Sequence, residues 1–143
     1  GGQNMKSSLF YRAAAVLLLL FAAAHTFGFS QSDPSWGADA VISGMQSVHF
    51  DALGSSRSYW DFFLAAGYTT GVLYLLSAVI AWQLGGLPAD ALWRMRIAGW
   101  AFALCFAAIA VLSWQYLFIV PVVFAAATAL CLAIAALLSK KPA

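Results

Sequence analysis

The chain has 143 residues, of which 64% are hydrophobic and 8% are charged, and its net charge is +2. Soluble domains are about 45–50% apolar and about 25% charged, and a soluble fold of about 150 residues still exposes roughly a third of its unfolded surface. This composition excludes a soluble enzyme, a disordered tail, a nucleic-acid-binding protein and a disulfide-stapled secreted domain. It indicates an integral membrane protein.

Four apolar segments are each long enough to cross a hydrocarbon core of about 30 Å. They cover residues 9–29, 59–84, 89–114 and 117–138. No linker or internal repeat separates them, so the sequence predicts an all-α fold: a single transmembrane four-helix bundle over residues 1–143. Residues 1–4, ahead of Met5, resemble an expression scar.

The first segment also allows a second interpretation. Lys6 and Arg12, a leucine run and the alanines at 22–24 fit a signal peptide with a small-residue cleavage site. The apolar character continues to Phe29, which favours a spanning helix instead.

Short breaks separate the later segments. Gly85 and Gly86 predict the end of the second helix, and Pro88 suits the first turn of the third. Gln115 and Tyr116 predict a tight reversal, and Pro121 is expected in the first turn of the fourth helix.

The basic residues predict the orientation. With four spans, six of the seven Lys and Arg residues share one side of the membrane: Lys6, Arg12, Arg94, Arg96, Lys140 and Lys141. Arg57 alone lies on the other side. The excess of basic residues on one side places both termini in the cytoplasm.

The long segment between the first two spans has a helical pattern of its own. Asp33 and Pro34 form a helix-start signal, and apolar residues recur at helical spacing as far as Gly54. We expect a short amphipathic helix over about 34–53 in this extracytoplasmic loop. It would serve either as a lid or only as a cover for backbone groups.

Ionisable groups inside a span are costly and are therefore functional candidates. His25, near the outer end of the first span, and Asp61, one turn into the second, are expected at similar depth. Together with Arg57 they predict an outward-facing polar pocket walled by aromatic side chains. The predicted ligand-binding residues are His25, Arg57, Trp60, Asp61, Tyr68, Trp114 and Tyr116.

Structural alternatives exist for these residues. Ser58 and Asp61 have the spacing of a capping box, and His25 can serve as an interhelical hydrogen bond that only specifies packing. Gly67 and Gly71 form a G-x-x-x-G motif, which seats either another helix of the chain or a second subunit.

The sequence predicts no metal site and no cofactor. Cys105 and Cys131 lie in apolar runs without C-x-x-C or Cys/His spacing. A haem between His25 and His49 would need both imidazoles on one iron, and no other feature supports it.

The sequences HTFG at 25–28 and RSYWDFF at 57–63, followed by Gly67, resemble an uncharacterised family of small four-helix bacterial integral membrane proteins. The resemblance covers the first two spans and their loop. It implies four spans and a location in the bacterial inner (plasma) membrane, and it implies no activity. A looser similarity to the DoxX-like proteins is architectural.

Three functions follow as hypotheses. The first is binding of a lipid, a quinone or another hydrophobic small molecule in the outward-facing pocket. The second is a membrane enzyme in which His25 acts as acid–base catalyst and Asp61 orients it. The third is a structural or accessory subunit of a membrane complex. Expected partners are membrane lipids and a second copy through Gly67 and Gly71, with no nucleic acid.

Overall fold

The computed structural model describes residues 2–141, apart from the side chains of residues 3 and 4. It is mostly helical (80%). The helices are α1 (Gly2–Gly28), α2 (Asp39–Ser47), α3 (Tyr59–Leu84), α4 (Ala89–Arg94), α5 (Arg96–Tyr116) and α6 (Ile119–Leu138). A short 3-10 turn (Pro34–Trp36) and two strands, β1 (His49–Ala52) and β2 (Ser55–Ser58), lie between α1 and α3.

Four helices are long and apolar enough to cross a membrane. These candidate spans are Met5–Gly28, Tyr59–Leu84, Arg96–Tyr116 and Ile119–Leu138. The sequence-based prediction of a mainly helical fold with four such helices is confirmed at this level. Pro121 lies in the first turn of α6, where its missing N–H leaves no gap in the helix.

The helix predicted over 89–114 is divided at Met95 (φ −91°, ψ 9°) into α4 and α5. At this break the Met95 N–H still donates to the Ala91 carbonyl at 3.0 Å, and the Arg96 guanidinium lies 4.0 Å from the Trp93 ring centroid. The reversal before α6 also differs from the prediction: α5 continues through Tyr116, and the turn falls at Leu117 and Phe118.

The helix predicted over 34–53 is wrong except in its central part. Only Asp39–Ser47 is α-helical, and the residues that follow form an antiparallel hairpin in which His49 pairs with Ser58 and Ala52 with Ser55. Gly54, predicted to end a helix, forms the two-residue turn with Leu53. Both have positive φ (53° and 84°), the backbone of a type I′ turn, and the Asp51 carboxylate accepts from the Gly54 N–H at 2.7 Å.

The chain divides into two compact units. The first contains Gly1–Phe21 and Tyr74–Ala143, and the second contains Ala22–Leu73. The boundaries fall within α1 and within α3.

The core of the first unit combines side chains from α1, α3, α4, α5 and α6. Its largest buried members are Tyr11, Leu18, Leu92, Phe106 and Leu132. Alanines dominate the remainder, which lets the helices approach closely where lipid supplies no hydrophobic drive.

Three serine hydroxyls of the first unit, those of Ser7, Ser8 and Ser139, donate to backbone carbonyls. The buried Ser7 hydroxyl donates to the Ala135 carbonyl at 2.9 Å and lies 2.9 Å from the Ser139 hydroxyl. Thr128 is the exception: within residues 2–141, its fully buried Oγ1 has no hydrogen-bond partner. An unsatisfied hydroxyl in such a place lowers stability.

Candidate functional site

His25 is bonded to the backbone of α3 within the second unit. Its Nε2 lies 2.9 Å from the carbonyl oxygen of Gly67. Because a carbonyl only accepts, Nε2 carries the hydrogen and donates it. The bond fixes the last turn of α1 against α3. It is an interhelical packing bond, which was one of the two alternatives for His25 in the sequence analysis.

Phe29 covers the same glycine. Its ring stacks on His25 with centroids 5.3 Å apart and meets the Tyr68 ring edge-on at 5.1 Å. A methyl group added at Gly67 would overlap the Phe29 ring, and one at Gly71 would overlap the Thr26 hydroxyl. Both glycines are buried.

The G-x-x-x-G motif therefore seats α1 of the same chain. Of the alternatives that the sequence allowed, the structure uses the intrachain one, and the surface of Gly67 and Gly71 is already covered by Phe29 and Thr26.

Asp61 caps α3. Its carboxylate accepts from the Ser58 N–H at 2.9 Å, and the Ser58 hydroxyl accepts from the Asp61 N–H at 3.3 Å. These two bonds are the capping box expected from the spacing, and they satisfy backbone donors that the helix start leaves unpaired. Arg57 and His49 lie close enough to this carboxylate to interact with it electrostatically.

His49 and Arg57 both belong to the hairpin. His49 stands opposite Ser58 in the register, and Arg57 stands opposite Phe50. The Arg57 guanidinium donates to the Ser56 carbonyl at 3.0 Å, and His49 Nδ1 lies 3.1 Å from the Ser47 carbonyl oxygen. Because a helix was predicted over these residues, the position of His49 near Asp61 was not expected.

The remaining predicted residues are divided between the units. Trp60 packs on Phe63 with ring centroids 5.2 Å apart, and Tyr68 lies on Phe29. Trp114 and Tyr116 belong to the first unit, where they are 73% and 71% exposed. The second unit thus brings together His25, Arg57, Trp60, Asp61 and Tyr68.

The Asp61 and His25 side chains are bonded to different parts of the chain. The Asp61 carboxylate is bonded to Ser58, while His25 meets α3 at Gly67, six residues further along the helix. At 1.5 Å per residue, that separation is about 9 Å along the axis. Among the described residues, no three His, Cys, Asp or Glu side chains are grouped to hold a metal ion.

No family model, no curated protein and no solved structure matches this chain.

Proposed function

We propose that this chain is a multi-pass protein of the bacterial inner membrane, with both termini in the cytoplasm, that binds a lipid, a quinone or another hydrophobic small molecule. The binding surface is the aromatic face of the second unit, on the outward side. One observation carries the proposal: exposed rings on the first turns of α3 lie beside a small group of charges.

The aromatic face consists of Tyr59, Phe62 and Phe63, which are 64%, 46% and 38% exposed. Phe50 of the hairpin packs on Tyr59 and Phe62 with centroid distances of 5.1 and 5.7 Å. Asp61, Arg57 and His49 are the adjacent charged or ionisable groups. An apolar surface that ends in a few polar groups is typical of sites for hydrophobic ligands.

The enzyme hypothesis has less support. A carboxylate that orients a general base is bonded to that base, whereas the Asp61 hydrogen bonds here belong to the helix cap. The accessory-subunit hypothesis relied on the G-x-x-x-G surface, which α1 occupies.

Site-specific photocrosslinking tests the proposal. Phe62 is replaced by p-benzoylphenylalanine, the full chain is irradiated in native membranes, and the crosslinked mass is read by intact-protein mass spectrometry. The matched control carries the same residue at Leu104 of α5, which is 65% exposed on the first unit. We expect one dominant adduct at position 62 and the mixture of bulk lipids at position 104. The same adduct profile at both positions would contradict the proposal.

A second pair of variants tests the part of His25. His25→Gln keeps an N–H donor for the Gly67 carbonyl, whereas His25→Ala removes it. We expect the adduct at position 62 to persist in His25→Gln and to weaken in His25→Ala. An unchanged adduct in a folded His25→Ala protein would remove His25 from the site.

A further inference from the structure

An open cleft of about 420 Å³ lies in the first unit, against the start of α1 and the loop between α3 and α4. It is lined by Met5, Ser8, Arg12 and residues 85–88. The first three follow one face of α1, at spacings of three and four residues. The Ser8 hydroxyl donates to the carbonyl of Gly85. This hydrogen bond connects α1 to the loop at the wall of the cleft.

Arg12 is the one cation in the cleft wall, and its position is fixed from two sides. Its guanidinium carbon lies 5.1 Å from the centroid of the Trp82 ring. Its aliphatic stem lies against the loop so closely that a methyl group at Gly85 would come within 2.9 Å of Cγ. A guanidinium held over an aromatic ring keeps its N–H donors for another group.

Arg12 has no carboxylate partner among residues 2–141. All five acidic residues are aspartates, and no hydrogen bond or ion pair joins any described one to this guanidinium. An unpaired, stacked guanidinium is suited to a phosphate, which it binds through two parallel N–H donors.

The place of the cleft on the helices indicates the source of that phosphate. Arg12 lies in the second turn of the candidate span Met5–Gly28, and Trp82 lies in the last turn of Tyr59–Leu84. In a membrane, helix ends stand at the level of the lipid headgroups, where Trp and Arg are both favoured. Met5, Leu87 and Pro88 supply the apolar part of the wall that a glycerol backbone and acyl chain would contact.

We propose that the Arg12 cleft binds the headgroup phosphate of an anionic phospholipid. This inference rests on the membrane location given under the proposed function, and it concerns a different surface from the aromatic face of the second unit.

Lipid titration in native mass spectrometry tests the site. The full chain in detergent micelles is titrated with phosphatidylglycerol, and separately with phosphatidylcholine of the same acyl chains. Arg96→Gln is the matched control, because Arg96 also stacks on a tryptophan, Trp93 at 4.0 Å, but does not line the cleft. We expect Arg12→Gln to weaken phosphatidylglycerol binding about tenfold, as for a lost charge-assisted hydrogen bond. Arg96→Gln should leave it within about twofold, and Arg12→Lys should fall between.

Three results would overturn the inference. Equal losses in Arg12→Gln and Arg96→Gln would show diffuse attraction of anionic lipid to basic residues. Equal affinity of the unmodified protein for the two lipids would show that the cleft does not select the headgroup. Displacement of the lipid by inorganic phosphate at equimolar concentration would assign the cleft to a soluble phosphate. Carbonate extraction of membranes separates these failures from failure of the proposed function, because a protein released by carbonate was never inserted.

Discussion

Replacing Gly67 with alanine tests the packing of α1 against α3 in the second unit. The substitution adds one methyl group at a buried position where the Phe29 ring already lies. The ring has to move, and its stacking on His25 and its edge contact with Tyr68 are then lost or weakened.

The expected change in stability is the difference between two opposing contributions. Overpacking a well-filled site costs about 1–3 kcal/mol. Alanine is favoured over glycine inside a helix by about 1 kcal/mol. The overlap with three ring atoms of Phe29 places the first term at the upper part of its range, so we expect a net destabilisation of about 1–2 kcal/mol.

Native-state hydrogen exchange measures this locally. Peptides that cover residues 22–29 and 64–72 should exchange roughly 5–30-fold faster in Gly67→Ala, which corresponds to about 1–2 kcal/mol. Gly44→Ala is the matched control, because a methyl group there meets nothing within 4 Å and α2 is helical at this position. That control should slow exchange in α2.

A double-mutant cycle decides whether Phe29 is the cause. In a Phe29→Ala background the overlap is gone, so Gly67→Ala should become neutral or stabilising by about 1 kcal/mol. A destabilisation of equal size in both backgrounds, or a stabilising effect of Gly67→Ala in the unmodified protein, would refute the packing described for Phe29.

Three further predictions concern single residues. Leu53→Asn should stabilise the hairpin by about 1 kcal/mol, because asparagine tolerates the positive φ of a type I′ turn and leucine does not; unchanged exchange at β1 and β2 would contradict that turn. Thr128→Val should raise stability by about 1 kcal/mol, measured by denaturant titration in detergent, since it removes a buried hydroxyl without a partner among residues 2–141; a loss of stability would mean that the hydroxyl is satisfied. Hydrogen bonds from the Ser35 hydroxyl and backbone N–H lower the pKa of Asp33 below its ordinary 3.8. Its contribution to the 3-10 turn is therefore present above that value and lost as the pH falls through the lowered pKa, so the protection factor of the Ser35 amide should fall there in the unmodified protein and show no such step in Asp33→Asn.

The main helices were predictable because their signals are local. The composition of each apolar run and the capping box at Ser58 and Asp61 are readable in one dimension, and α3 indeed covers the residues expected for the second span. The interruption at Met95 was not predicted, because residues 93–96 contain no glycine or proline that would signal it.

The hairpin was missed for a different reason. Its turn uses Leu53 and Gly54, whereas type I′ turns usually carry Asn-Gly or Asp-Gly. Residues 41, 45, 48 and 52 fit a helical spacing, so the pattern favoured a longer helix. With the hairpin unknown, the approach of His49 and Arg57 to Asp61 had no basis in the sequence.

The other features that were not predicted depend on contacts between segments that are distant in the sequence. His25 was predicted as a polar partner for α3, but its acceptor is the backbone of Gly67, which no side-chain pattern can reveal. Phe29 and the Arg12 cleft likewise depend on which helix faces meet, and that is decided by tertiary packing.

Cysteine labelling tests the proposed membrane topology most directly. Cys105 and Cys131 are free, so both are first replaced by alanine, and single cysteines are then placed at Leu53, on the hairpin turn, and at Lys141. With a membrane-impermeant maleimide on intact cells, we predict labelling at Leu53→Cys without permeabilisation and at Lys141→Cys only after it. Labelling of Lys141→Cys in intact cells, or of both positions only after permeabilisation, would contradict four spans with cytoplasmic termini and an outward-facing second unit.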